Sequence, residues 1–157
     1  MTKLITRDFL RLHGACYSDA RIDALGPPEG LPLVDVLKLT IPAADRLWVA
    51  TLPGACPAAI RWEWQARMVE RAVARVEKPD PRSLAVVQLL RRLARGEAIP
   101  REQRAAARDA AYAAAAAAYD AWAATYDARA AARDAAYDAE ENQQIADLID
   151  LLTKVTP

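Results

Sequence analysis

The C-terminal third of this chain holds its most unusual segment, residues 101–139, which read REQRAAARDAAYAAAAAAYDAWAATYDARAAARDAAYDA. Alanine fills 21 of 35 consecutive positions here, against 37 alanines in all 157 residues. Neither glycine nor proline interrupts residues 101–156, and alanine has the highest helix propensity of any residue. The segment therefore predicts one helix from Pro100 to about Thr153, unless the polar run 138–143 (DAEENQ) bends it.

A helix of this length exceeds the size of a compact globule made from the whole chain. At 1.5 Å per residue it would measure roughly 75–80 Å, whereas a compact chain of this size spans roughly 40 Å. The helix therefore either folds back at 138–143 or protrudes and meets a second copy of the chain. In such a homodimer, antiparallel packing would set the arginine-rich segment 91–108 against the acidic segment 134–150.

Five aromatic side chains fall on one stripe of the predicted helix, within about 80° of one another at 100° per residue. They are Tyr112, Tyr119, Trp122, Tyr126 and Tyr137. Toward the C terminus the stripe continues in the aliphatic residues Ile145, Leu148, Ile149, Leu151, Leu152 and Val155. A continuous apolar stripe is typical of a core contact, so we expect it to be buried. The alternative is an exposed base-stacking platform, because four arginines lie on the same side.

Five aspartates form a second face of the same helix, which we call the acidic ridge. Its members are Asp109, Asp120, Asp127, Asp134 and Asp138. Almost all their neighbours three and four positions away are alanines, so no salt bridge within the helix is available to them. The acidic ridge is therefore our candidate partner-binding site, offered to basic residues of another helix or protein, and a solvated helix edge is the alternative.

Opposite the aromatic stripe, the helix carries a face of small side chains, which we call the alanine face. It comprises Ala114, Ala117, Ala121, Ala124, Ala128, Ala132, Ala135 and Ala139. Small side chains let a second helix approach closely, toward the lower end of the usual 8–10 Å between axes. The alternative is that alanine merely fills the surface of an exposed helix.

The first 99 residues predict a core of short helices, because apolar residues recur at spacings of three and four between prolines, glycines and small polar caps. We expect Thr6 to cap a helix through Leu12 and Ser18 to cap one through Leu25. The other predicted helices are Leu33–Leu39 after Pro32, Ala43–Thr51 after Pro42, a helix from Pro57 to about Glu77, and one from Asp80 or Ser83 to the left-handed Gly96. The last two form a helical hairpin, and the chain is predicted to be a single all-α domain over 1–157.

Apolar spacing also predicts the buried faces of the hairpin. In its first helix the expected stripe is Ile60, Trp64, Met68, Ala72 and Val76, and in its second it is Leu84, Val87, Leu90, Leu93 and Ala94. Core packing is expected for most of Trp48, Trp62 and Trp64, because large aromatic side chains gain most from burial.

Charge and composition narrow the function classes. Lys and Arg number 21 and Asp and Glu number 21, so net charge attracts neither nucleic acid nor membranes. A local basic cluster, Arg91, Arg92, Arg95, Arg101, Arg104 and Arg108, is interpreted as a solvated junction. No signal-peptide pattern precedes Arg11 and no apolar run approaches about 20 residues, so a cytoplasmic location without membrane contact is expected.

Residues for catalysis or metal binding are scarce. His13, Cys16 and Cys56 offer at most three ligands without paired spacing, whereas a structural zinc site needs four. We interpret both cysteines as reduced thiols. No phosphate-binding loop or serine nucleophile elbow occurs, so we expect no enzyme activity, metal or cofactor.

Three short segments and the alanine tract occur together in a recognisable order. The segments are ADRLW at 44–48, PDPRS at 79–83 and LARGEA at 93–98. In this combination the chain, from roughly Leu33 to Leu152, resembles the alanine-rich immunity proteins of phages and bacteria. The resemblance implies a phage or bacterial setting and assigns no catalytic or binding residues.

Together these observations lead to one functional expectation and one alternative. We expect a non-enzymatic protein-binding module, an inhibitor that neutralises a toxin or a defence system in the manner of an immunity or anti-CRISPR protein. The alternative is a structural or scaffolding protein that self-associates through its long alanine-rich helix.

Overall fold

The computed structural model describes residues 3–75, 81–106, 109 and 130–155. Most of these residues are helical, so the predicted all-α class is confirmed. The helices are α1 (Arg7–Leu12), α2 (Asp19–Asp23), α3 (Leu33–Val36), α4 (Ala43–Thr51), α5 (Ala58–Ala74), α6 (Pro81–Ala94) and α7 (Ala130–Val155). Two short strands, β1 (Leu4–Ile5) and β2 (Leu31–Pro32), accompany them, and residues 101–106 are helical as well.

The chain divides into two compact units. The N-terminal unit combines residues Met1–Pro57 with residues Asp138–Pro157, and the second unit comprises Ala58–Tyr137. The two ends of the chain therefore belong to the same unit. The second unit contains α5 and α6, whereas β1, β2, α1–α4 and most of α7 belong to the N-terminal unit.

Side-chain caps begin the first two helices, as predicted. The Thr6 hydroxyl oxygen accepts a hydrogen bond from the Phe9 amide at 3.1 Å, and α1 ends at Leu12. The Ser18 hydroxyl oxygen accepts one from the Arg21 amide at 3.3 Å. Helix α2 stops at Asp23 rather than Leu25, because the Leu25 amide bonds to the Ile22 carbonyl in a tighter turn.

Prolines precede the next two helices. Pro42 precedes α4, whose bounds match the prediction, and Pro32 precedes α3. Helix α3 is shorter than predicted and ends at Val36 instead of Leu39. The amides of Lys38 and Leu39 bond three residues back, so the chain turns there instead of continuing the helix.

The strand pair was not predicted from the sequence. Strands β1 and β2 are antiparallel, with Leu4 opposite Pro32 and Ile5 opposite Leu31. Each strand has two residues, which is too short for an alternating apolar pattern to be recognised. Because the partners lie far apart in the sequence, no hairpin turn signals the pairing either.

Gly30, next to β2, is predicted to tolerate no side chain. Its φ is +93°, and a Cβ atom placed on it would lie 2.7 Å from the Ile5 carbonyl oxygen in β1. Gly14 has a similar φ of +80° but open space around the Cβ position. We expect Gly14→Ala to cost about 1–2 kcal/mol for the left-handed backbone alone, and Gly30→Ala to cost about 1–3 kcal/mol more because of the clash.

Urea denaturation of the two glycine variants measures this difference. Both carry the same backbone penalty, so subtracting their unfolding free energies isolates the steric contribution of the strand pair. Equal losses in the two variants would show that β1 does not lie against Gly30.

Helices α5 and α6 pack against each other, which confirms the predicted hairpin. Their buried residues are Ile60, Trp64, Ala66, Val86 and Val87. At the hairpin surface, the Arg91 guanidinium lies 2.8 Å from the Glu70 carboxylate. Gly96, with φ +76°, follows the end of α6 as predicted.

Two predicted members of the buried stripes are exposed. A strict four-residue repeat drifts about 40° per step around a 3.6-residue helix. After three steps from Ile60 the drift reaches about 120°, and Ala72 is accordingly exposed. In α6, burial of both Val86 and Val87 centres the buried face between them, so Leu84 lies about 110° from the centre and is 50% exposed. Val76 lies outside the described residues.

Helix α7 continues through 138–143 without interruption. The Asn142 side-chain amide donates to the Asp138 carbonyl oxygen at 2.8 Å within this segment. Beyond it, the predicted aliphatic stripe contributes the buried residues Ile145, Leu148 and Leu152. The part of the predicted long helix between 110 and 129 lies outside the described residues, as do residues 107 and 108.

Candidate functional site

A cleft of about 470 Å³ opens in the N-terminal unit. Its walls come from β1, the segments around α1 and α2, the proline- and glycine-containing segment before β2, and helices α3 and α4. Most lining side chains are apolar, among them Leu10, Ile22, Leu31, Val36, Ile41 and Trp48. A concave apolar surface of this volume is typical of a ligand site.

Tyr17 and Asp45 form the main polar contact of the cleft. The Tyr17 hydroxyl donates a hydrogen bond to the Asp45 carboxylate, which lies in the first turn of α4. This hydrogen bond raises the pKa of the Tyr17 phenol above its usual value, with smaller contributions from burial and from the Asp45 charge. The Arg21 guanidinium lies 4.2 Å from the centre of the Tyr17 ring. The phenol therefore stays neutral at physiological pH and can act as the hydrogen-bond donor to Asp45.

A second charged pair lies at the cleft, where the Arg7 guanidinium is 2.8 Å from the Asp23 carboxylate. The two charges neutralise each other. Both side chains are about half exposed, so the pair contributes little to stability.

His13 and Cys16 also line the cleft. The His13 ring packs edge-on against Phe9, with ring centroids 4.6 Å apart, while Cys16 is exposed. Cys56 is buried elsewhere in the unit, with its sulfur 3.6 Å from the Pro57 carbonyl oxygen. Within the described part of the chain, no three histidine, cysteine or acidic side chains are grouped so as to hold a metal ion.

Two side chains of the predicted acidic ridge are described, and the ridge itself stays a prediction. Asp109 and Asp138 are exposed. The backbone of Asp134 lies in α7. Asp120 and Asp127 lie outside the described residues.

The predicted burial of the aromatic stripe is wrong at Tyr137, whose side chain is 68% exposed. Residues 136–139 are all exposed, so this turn of α7 has no covered face. From residue 136 onward, the first buried side chain of α7 is Ile145, in the aliphatic part. The aromatic stripe is therefore not part of the core at Tyr137. Its other four aromatic residues lie outside the described residues.

Half of the basic cluster, at the end of α6, is engaged in ion pairs. Besides the pair of Arg91 with Glu70, the Arg92 and Arg95 guanidinium groups lie 2.8 and 2.7 Å from the Glu97 carboxylate. Hydrogen bonds from these two arginines lower the pKa of Glu97. Three of the six clustered arginines therefore satisfy acidic neighbours, as expected of a solvated junction.

The cleft was not predicted from the sequence. Its signals were Tyr17, the segment GPPEGLP at 26–32 and the three-residue spacing of Asp45 and Trp48 in α4. Core packing, expected for most of the three tryptophans, is found only for Trp64: Trp48 is 36% exposed at the cleft and Trp62 is half-buried.

None of the helices in the described ranges is both long and apolar enough to cross a bilayer. A scan against protein-family models, a search of curated proteins and a search of solved structures each find no match.

Proposed function

We propose that this protein is a non-enzymatic protein-binding module that neutralises a toxin or a defence system in a phage or bacterial setting. The observation that carries the proposal is the exposed turn at 136–139 of α7, which presents Tyr137 to solvent next to Asp138. A large aromatic side chain left exposed on a helix is a surface that a partner can cover.

Tyr137 has the properties of an interface anchor. Tyrosine offers a large contact area and a hydroxyl at low conformational cost, and it is enriched among residues that dominate binding energy. Because Tyr137 is 68% exposed, most of its ring surface is left uncovered by its own fold. Burial against a partner would supply the missing apolar contact.

Asp138 gives the surface its charge preference. Among the described residues, no lysine or arginine forms an ion pair with its carboxylate. The exposed carboxylate of Asp138 therefore favours a partner with a basic surface. The acidic ridge thus stays the candidate partner-binding site, now with Tyr137 beside it.

The biological setting rests on the resemblance to alanine-rich immunity proteins carried by segments 44–48, 79–83 and 93–98. Inhibition by binding to another protein requires no catalytic side chains, in keeping with the expected non-enzymatic module. We also propose a cytoplasmic location.

A scaffolding role through self-association is the second candidate. Ala139, a member of the alanine face, is exposed, and a methyl-only surface allows close approach of a second helix. The homodimer would then use α7 itself as its seam.

Capture from the native host during infection, followed by mass spectrometry, tests the proposal. We expect wild-type protein to retain one non-self protein, and a Tyr137→Ala, Asp138→Lys double variant to bind it at least about tenfold more weakly. The matched control is Leu12→Ala with Asp8→Lys, which changes an exposed apolar and an exposed acidic residue on α1.

The thermal melting of both double variants is measured alongside, so that loss of binding is not confused with loss of fold. Equal binding by the two double variants would remove the α7 surface from the proposal. A stable homo-oligomer in light scattering, without any captured partner, would favour the scaffold instead.

A further inference from the structure

The cleft of the N-terminal unit has the size of a small-molecule site. Its volume of about 470 Å³ lies within the roughly 300–1,000 Å³ that such sites occupy. Apolar side chains such as Leu10, Ile22 and Ile41 line it, so the bulk of a ligand would be apolar. The cleft lies wholly within residues 5–49, so one unit supplies every lining residue.

The charges at the cleft leave one carboxylate without a cation. Arg7 and Asp23 neutralise each other at 2.8 Å. Asp45 accepts a hydrogen bond from the neutral Tyr17 hydroxyl, and within the described residues no lysine or arginine pairs with it. Its neighbour Arg46 instead donates to the Leu37 carbonyl oxygen at 3.0 Å. The positive end of α4 balances part of the Asp45 charge, but a helix terminus carries only about half a unit charge.

Aromatic side chains accompany this carboxylate. Trp48 follows Asp45 by three residues in α4, which brings the two to the same side of the helix, and Trp48 lines the cleft. The Tyr17 ring also lines it and already attracts the Arg21 guanidinium. A carboxylate with tryptophan and tyrosine rings is the combination of groups that recognises organic ammonium ions.

From these observations we propose that the cleft binds a small amphipathic amine, whose apolar body fills the cleft and whose ammonium group pairs with Asp45 beside Trp48. This site shares no residue with the 136–139 turn of α7 and does not depend on the proposed function. The ligand class follows from the cleft alone: an uncharged ligand would leave Asp45 unpaired, and an anionic ligand would be repelled by it.

Three probes with the same apolar body and different head groups test the proposal on wild-type protein. They are phenylbutylamine, phenylbutanol and phenylbutanoate, titrated by isothermal calorimetry. We expect the amine to bind about tenfold or more tightly than the alcohol, since a charged hydrogen-bonded contact is lost, and the acid to bind most weakly. Equal affinities for amine and alcohol would overturn the proposal, and so would the absence of binding by all three.

Two aspartate variants locate the cation. Asp45→Asn keeps the shape of the side chain and removes its charge, so the amine should lose its advantage over the alcohol. Asp35→Asn is the matched control, because Asp35 pairs with Lys38 on the surface and does not line the cleft. Unchanged amine affinity in Asp45→Asn would overturn the assignment.

If Asp45→Asn fails to fold, as judged by circular dichroism, the probe series on wild-type protein still decides. The indole N–H resonance of Trp48, assigned with Trp48→Phe, should shift on adding the amine, whereas that of Trp62 should not. If a lysine-containing apolar peptide shifts the Trp48 resonance and the amine does not, the small-molecule proposal is overturned and the occupant of the cleft is a protein segment.

Discussion

Replacing Trp64 with alanine is expected to lower the free energy of unfolding by about 3–5 kcal/mol, the usual loss when a large aromatic side chain is removed from a core. Trp64 is 3% exposed in the middle of α5, and Ile60 one turn earlier is buried as well. Deleting the indole leaves a cavity that the flanking helix cannot fill, because α5 is held against α6. Urea denaturation followed by circular dichroism measures the loss.

Trp62 supplies the control on the same helix. It lies two residues before Trp64 but is only half-buried, and the nearby Arg61 guanidinium lies 5.4 Å from its ring centre. Trp62→Ala should therefore destabilise the protein distinctly less than Trp64→Ala. If the two variants lose the same stability, the packing of α5 is not as described.

Leu148→Ala is expected to cost about 2–5 kcal/mol, because Leu148 is 0% exposed and loses both its apolar transfer energy and its cavity contacts. Residues from Asp138 onward belong to the same unit as residues 1–57. The variant should therefore loosen the N-terminal unit as a whole. Hydrogen exchange should be faster in α1–α4 as well as in the C-terminal part of α7.

Leu151→Ala is the partner experiment for Leu148→Ala. Both variants replace a leucine of α7 with alanine, but Leu151 is only half-buried. A smaller loss is expected, without faster exchange in α1–α4. If Leu148→Ala melts at the same temperature as the wild-type protein, the end of α7 is not part of a core.

The two candidate sites differ in whether the sequence carries a signal for them. The acidic ridge is predicted because its members recur on one face of the predicted helix, and it stays a prediction; the described side chains among them, Asp109 and Asp138, are exposed. The cleft was missed because its polar groups come from separate segments: Tyr17 meets Asp45, and Arg7 meets Asp23. A pairing between distant residues leaves no periodic signal in a single sequence.

Local chemistry was sufficient for the helix ends. Thr6 and Ser18 cap because a hydroxyl next to free helix amides has an obvious partner within three residues, and Pro42 begins α4 because its ring presets φ. Helical class, the α5–α6 hairpin and the aliphatic stripe of α7 were predictable for the same reason: each depends on neighbours within a few positions along the chain.

Tertiary structure alone decided which apolar residues are covered. The sequence marks Tyr137 and Ile145 as members of one stripe, yet Tyr137 is exposed and Ile145 is buried. Periodicity specifies the direction in which a side chain points from its helix, but burial requires another segment to lie there. Contacts between residues that are distant in the sequence, such as the pairing of Ile5 with Leu31, place that second segment. These contacts stabilise the chain only after the entropy cost of closing the intervening loop has been met in folding.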